Sequence, residues 1–133
     1  MYAIVCVDNR MGMAFNHRRQ SRDQALTEYL LNLAGDKGIR IHPNSGKLFS
    51  ENSNVYMGED YIQTAPKESF CFIEAEPLLP LADQIDALIL CHWNRDYPGD
   101  LFLDLDRKDW RLQFAEEFPG TSHEKITVEV YVK

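Results

Sequence analysis

Nowhere does this sequence approach the roughly twenty consecutive apolar residues that a membrane-spanning helix requires. Its apolar runs are short, as in YAIVCV and ALILCH, so no helical span is expected. The first residues, MYAIVCVDNR, carry no basic leader ahead of a long apolar core, and the chain reads as cytoplasmic. Cysteine is scarce: Cys6, Cys71 and Cys91 are widely spaced, sit inside apolar runs and form no Cys-x-x-Cys. They read as buried free thiols in a reducing compartment rather than as a disulfide framework. No two of the seven glycines are adjacent, which removes a paired-glycine phosphate cradle. The histidines, His17, His42, His92 and His123, stand singly without His-x-His spacing, so no local zinc cluster is legible. Positive charge is in deficit, 14 basic against 21 acidic side chains for a net charge of −7. Such a surface repels phosphate backbones and anionic lipid, and nucleic acid is disfavoured as a partner.

What is present fits one α/β domain over residues 1–133. Residues 2–7 are continuously apolar and β-branched, as in a strand buried on both faces. Ser21 is placed to cap a helix over residues 22–34, with Gln24 closing a capping box. Leu26, Tyr29, Leu30 and Leu33 form its apolar stripe and Gly35 its stop. Residues 39–42 read as a short strand ended by Pro43, residues 44–54 as loop, and Tyr61-Ile62 as a weak helical segment before Pro66. SFCFIE (69–74) and ALILCH (87–92) read as buried strands joined by a short helix in PLLPLADQI. After a turn at residues 97–100, short apolar runs at 101–105 and 110–114 precede a cleanly alternating segment, Ile126, Val128, Val130, Val132. The expected architecture is a mostly parallel central sheet with an antiparallel edge at its C-terminus.

Two stretches carry a resemblance. AIVCVDNRMGMAFN followed by QSRDQAL resembles the first strand, mobile loop and first helix of the dihydrofolate reductase family. LPLADQIDALILCHWNRDYPGDLFLDLDRKDW, then EEFPG and KITVEVYVK, resembles the order of landmarks in that family's last third. Together they cover roughly half of the chain. The resemblance implies a three-layer α/β/α fold and places Asp23 as the carboxylate that holds a pterin. It places Gly12 and Met13 in the flexible loop, and Gly99-Asp100 in a turn beside that loop. Cys91 falls where the family has a threonine behind the carboxylate, and Arg22 borders the same pocket.

The family's cofactor motifs do not match. Where a Gly-Arg-x-Thr pattern is due near Ile41 the chain has His42-Pro43-Asn44-Ser45-Gly46-Lys47, and where a Gly-Gly pair is due near Ile73 it has Glu74-Ala75-Glu76. Two like charges about 4 Å apart cost on the order of 4 kcal/mol at an effective dielectric near 20, so Glu74 and Glu76 are expected to reject a diphosphate. NADPH, and with it hydride transfer, is not expected, and no cofactor is assigned. The expected role is a small planar or nucleotide-like ligand, or a protein partner, around Asp23, Met13, Cys91 and Arg22. A dihydrofolate- or pterin-reductase-like oxidoreductase is the alternative, so enzyme and binding module both stay open. A second resemblance, of general look alone, is to short bacterial proteins named ribonuclease Z. A nuclease of that name is built on a His-x-His-x-Asp-His cluster holding two zinc ions, which is absent here.

Residue by residue, simpler readings stand beside these. Asp23 in a first helical turn suits the helix dipole as well as a ligand. Arg18, Arg19 and Arg22 suit a phosphate or a solvated loop equally. Ser45-Gly46-Lys47 lacks the first glycine and the following Ser or Thr of a phosphate loop. His92 and Trp93 end a strand where α/β ligands sit, yet also suit the core. An edge-strand homodimer through exposed aromatics between Trp93 and Tyr97 is a further expectation.

Overall fold

The computed structural model describes residues 1–51 and 53–133. Position 52, inside the stretch expected to be loop, lies outside the described residues. The chain begins with β1 (Tyr2–Val7), whose Ala3, Ile4, Val5 and Val7 are fully buried, as its unbroken apolar sequence requires. Next come β2 (Gly12–Phe15) and β3 (Arg18–Arg19), a hairpin turned by Asn16 and His17 at φ 52 and 62. Paired positive φ values are the signature of a two-residue turn whose twist matches its strands, and asparagine tolerates them well. The expectation of a flexible loop at Gly12 and Met13 is corrected here: both lie in a paired strand.

The helix α1 (Gln24–Ala34) starts later than the sequence predicts, because Asp23 and not Ser21 is the cap. The Asp23 carboxylate accepts from the N–H groups of Ala25 and Leu26 at 3.0 and 3.3 Å, while the Ser21 hydroxyl is engaged elsewhere. Gly35 ends the helix at φ 56, a conformation in which its missing Cβ matters. Beyond it lie β4 (Ile39–Ile41), a 3-10 turn (Pro43–Leu48) where loop is expected, and β5 (Val55–Met57). Tyr61 and Ile62 lie in hydrogen-bonded turns rather than a helix. Then follow β6 (Phe70–Phe72), a 3-10 turn (Leu79–Gln84), β7 (Ala87–His92), β8 (Leu101–Phe102), β9 (Arg111–Phe118) and β10 (Ile126–Val132).

The main sheet has the order β5-β4-β6-β1-β7-β10-β9. Its first five strands are parallel and the last two antiparallel, as expected. A small sheet, β3-β2-β8, sits beside it. Alternation divides the core. Ile4, Ile89 and Cys91 face α1 with Leu26 and Leu30, whereas Ala3, Val5, Val7, Leu88 and Leu90 face Leu78 and Ile85 around the second 3-10 turn. The two crossovers therefore cover opposite faces, and the strand order reverses between β1 and β6. In open α/β sheets, ligands gather beyond the carboxyl ends of the strands at such a reversal.

Candidate functional site

At that reversal the crevice is filled from the hairpin. Arg19 of β3 reaches across to Glu74, with Nε 2.8 Å from Oε2 and Nη2 3.1 Å from Oε1, and Nη2 also donates to the Asn44 carbonyl at 2.6 Å. Ser45 Oγ donates to Glu74 Oε1 at 2.6 Å, and the Glu74 side chain is only 15% exposed. A two-pronged, partly desolvated pair of this kind is well fixed. It also changes the electrostatics expected of Glu74, because the guanidinium offsets its charge before any ligand arrives. Two voids of about 20 and 10 Å³ remain around Cys6, Ser21, Glu74 and Trp93, with Met13 beside the smaller. Space of that size holds about one water and no planar ring.

Two larger spaces open outside the crevice. One, about 830 Å³, lies beyond β4 and β6 and is lined by His17, Arg18, Arg19, His42, Lys47 and Tyr61, with Glu74, Ala75 and Glu76 on its rim. His42 accepts from the Asn44 N–H through Nδ1 at 3.0 Å and packs edge-on to Tyr61. The Tyr61 hydroxyl donates to Glu76, and burial first, then that carboxylate, push its pKa up. The other space is a groove of about 430 Å³ between α1 and residues 47–50, with Arg22, Thr27, Lys47 and Thr121 on its walls.

Asp23 is committed inward. Its Oδ1 accepts from Ala25, Leu26 and Thr121 N–H groups, and its Oδ2 from the Ser122 N–H at 2.8 Å and from His123 Nδ1 at 2.9 Å. Burial pulls its pKa up, but the bonds from Thr121, His123, Ser122 and Leu26 outweigh it and hold the carboxyl at about 2. The approach is close: a Cβ on Gly120 would stand 2.5 Å from Oδ2. The far nitrogen of His123, Nε2, lies 2.8 Å from the Tyr97 hydroxyl and 3.2 Å from Ser21 Oγ. Trp93 stacks on the imidazole at 4.7 Å and 20°.

The structure thus gathers Asp23 and Met13 near the filled crevice and sets Arg22 on the groove. Cys91 lies behind Cys6, in register on the neighbouring strand, and is wholly buried. The hydrogen bond its thiol donates to Cys91, then burial, raise the pKa of Cys6. Asp100 takes the Asn16 N–H and its own N–H donates to Ala14, so the Gly99-Asp100 turn does pack on the hairpin. His92 pairs with Glu129 at 2.5 Å, on the sheet rather than in a cavity. Trp93 is 4% exposed and Tyr97 half-buried, so neither offers the exposed aromatic edge expected for a dimer. The grouping of His123, Tyr97 and Ser21 escapes the sequence reading, because these partners lie 26 to 102 positions apart. Among the described residues, no group of three or more His, Cys, Asp or Glu side chains is placed to hold a metal ion. No helix among them is long and apolar enough to cross a membrane.

No family model matches the sequence, and no curated protein does. Among solved structures, the chain is similar to the dihydrofolate reductase from Enterococcus faecalis, complexed with NADP(H) and RAB-propyl. The TM-score is 0.66 at 11% identity, covering 98% of this chain and 94% of that one. The fold is therefore dihydrofolate-reductase-like, and at this identity the likeness concerns the fold alone.

Proposed function

We propose that this chain is a small-ligand-binding domain that takes one anionic, nucleotide-like molecule in the 830 Å³ cavity beyond β4 and β6, without hydride transfer. The Arg19–Glu74 pair carries the reading. Hydride transfer needs donor and acceptor carbons within roughly 3–3.5 Å, hence two ring pockets side by side. Here one space is open and its neighbour is filled by the pair, by Gln20 and by Met13. Within the open cavity Arg18 and Lys47 have no carboxylate partner among the described residues, and they suit a phosphate or carboxylate. Ala75 and the flanking glutamates stand where adjacent glycines would let backbone N–H groups close on a diphosphate, so a single anionic group suits this rim better than a dinucleotide. Met13 lies beside the small void next to this cavity and Arg22 on the neighbouring groove, with Asp23 and Cys91 buried behind them.

Thermal-shift and calorimetric titration with nucleoside monophosphates, pterins and NADPH test this. A mononucleotide is expected to raise the melting temperature, and Arg18→Glu combined with Lys47→Glu to weaken binding at least tenfold. NADPH oxidation coupled to dihydrofolate would overturn the reading in favour of a reductase. Zinc in the purified protein together with cleavage of a precursor transfer RNA would overturn it in favour of a nuclease.

A further inference from the structure

We infer that Ser21, His123 and Asp23 form a separate acyl-transfer site, with Ser21 as nucleophile and His123 as base, directed at esters of a short acyl group. The three side chains are joined in the order that chemistry needs. Asp23 Oδ2 lies 2.9 Å from His123 Nδ1, and His123 Nε2 lies 3.2 Å from Ser21 Oγ. Asp23 is held ionised by its backbone N–H partners and can only accept, so the imidazole proton sits on Nδ1. Nε2 is left with a lone pair that accepts from the Tyr97 hydroxyl at 2.8 Å and faces Ser21 Oγ at 3.2 Å; once Tyr97 turns its proton to the substrate's carbonyl oxygen, Nε2 is free to act as base for the serine. The stacked indole of Trp93 fixes the imidazole plane and keeps water from its face. Asp23 is the positioning residue: it touches the base and not the ester.

The surroundings set the substrate class. Ser21 borders the void of about 20 Å³ walled by Cys6, Leu26, Leu30, Phe72 and Trp93, room for one water or one methyl group, so the acyl group is acetyl, with its methyl in the void and its carbonyl carbon at the mouth beside Ser21. That void shares Arg22, Asp23, Thr27 and Leu48 with the 430 Å³ groove, so the alcohol portion lies in the groove, between Arg22, Glu28 and Lys47. The Tyr97 hydroxyl, 2.8 Å from Nε2 and 3.2 Å from Ser21 Oγ, is the donor within reach of the carbonyl oxygen as it gains charge. In the reaction Ser21 Oγ bonds to the ester carbonyl carbon as its proton passes to Nε2. The carbon–oxygen bond to the alcohol then breaks, its electron pair leaves on the alcohol oxygen, and that oxygen takes the proton from Nε2. Water attacks the resulting acyl-serine by the same route, releasing the carboxylic acid and restoring Ser21.

This site does not depend on the ligand cavity proposed above, and it is tested on the full chain with 4-nitrophenyl acetate. The expected result is a burst of nitrophenolate matching the protein concentration, with peptide mapping that places acetyl on Ser21. Ser21→Ala removes both. His123→Gln slows acylation by about a hundredfold or more, and Tyr97→Phe slows it by about tenfold. The hexanoate ester reacts at least tenfold more slowly than the acetate. Each variant is checked by circular dichroism, and Ser21→Ala and Tyr97→Phe, which lose one hydroxyl apiece, carry the test if His123→Gln does not fold. Absence of acetyl on Ser21, or acetylation of Ser21 at an unchanged rate in folded His123→Gln or Tyr97→Phe, overturns the inference.

Discussion

Asp23 has no spare lone pair: four backbone N–H groups and one imidazole use both carboxylate oxygens. Its pKa, held at about 2 against an ordinary 3.8, is therefore a statement about stability. The depressed value means the stabilisation is complete above about pH 5 and is lost as pH falls through 3.8 toward 2, where the folded carboxylate takes its proton. The shift corresponds to about 2 kcal/mol. Asp23→Ala is expected to cost about 2 kcal/mol at neutral pH, by loss of the helix cap and of the anchor for residues 121–123. Urea denaturation at pH 7 and at pH 3 checks it, since the gap between wild type and variant should shrink at the lower pH. An unchanged gap would mean the carboxylate is not what holds the loop.

Among the elements, the hairpin of β2 and β3 decides most about the site. It is short, but it carries Arg19 into the crevice and rests on the 97–100 turn through hydrogen bonds from Asn16 and Asp100. Arg19→Ala strands Glu74 with only the Ser45 hydroxyl, and for a partly exposed pair a loss of about 1–3 kcal/mol is expected. Arg19→Ala combined with Glu74→Ala should recover part of that, because no orphaned charge remains. The four proteins of this double-mutant cycle, compared by thermal melts, measure the pair's coupling, and strict additivity would contradict a direct interaction. None of the hairpin is periodic enough to read beforehand. It lacks an Asn-Gly turn, and its strands of four and two residues are too short for alternation to show.

Across the whole molecule, the sheet leaves β9 as its outer antiparallel edge, with Leu112 and Phe114 exposed. An edge of this length invites pairing with a second copy unless it is blunted. Glu116, Glu117 and the irregular register opposite Val130 and Tyr131 do the blunting. Replacing both glutamates by threonine is expected to shift the protein toward dimers and larger species in analytical ultracentrifugation, and a strictly unchanged sedimentation coefficient at high concentration would contradict this. The net charge of −7 acts in the same direction at long range, so added salt should strengthen the effect.

The sequence by itself determined the strands β1, β7 and β10, the body of α1 and the parallel-then-antiparallel order, because burial writes itself into local periodicity: unbroken apolar runs for two-faced strands and alternation for the edge pair. Only the tertiary structure decided what Asp23, Glu74 and Ser21 do. A helix cap, an ion pair and a hydrogen-bonded chain depend on partners brought from as far as 102 positions away, and a side chain's partner leaves no mark on the residues next to it.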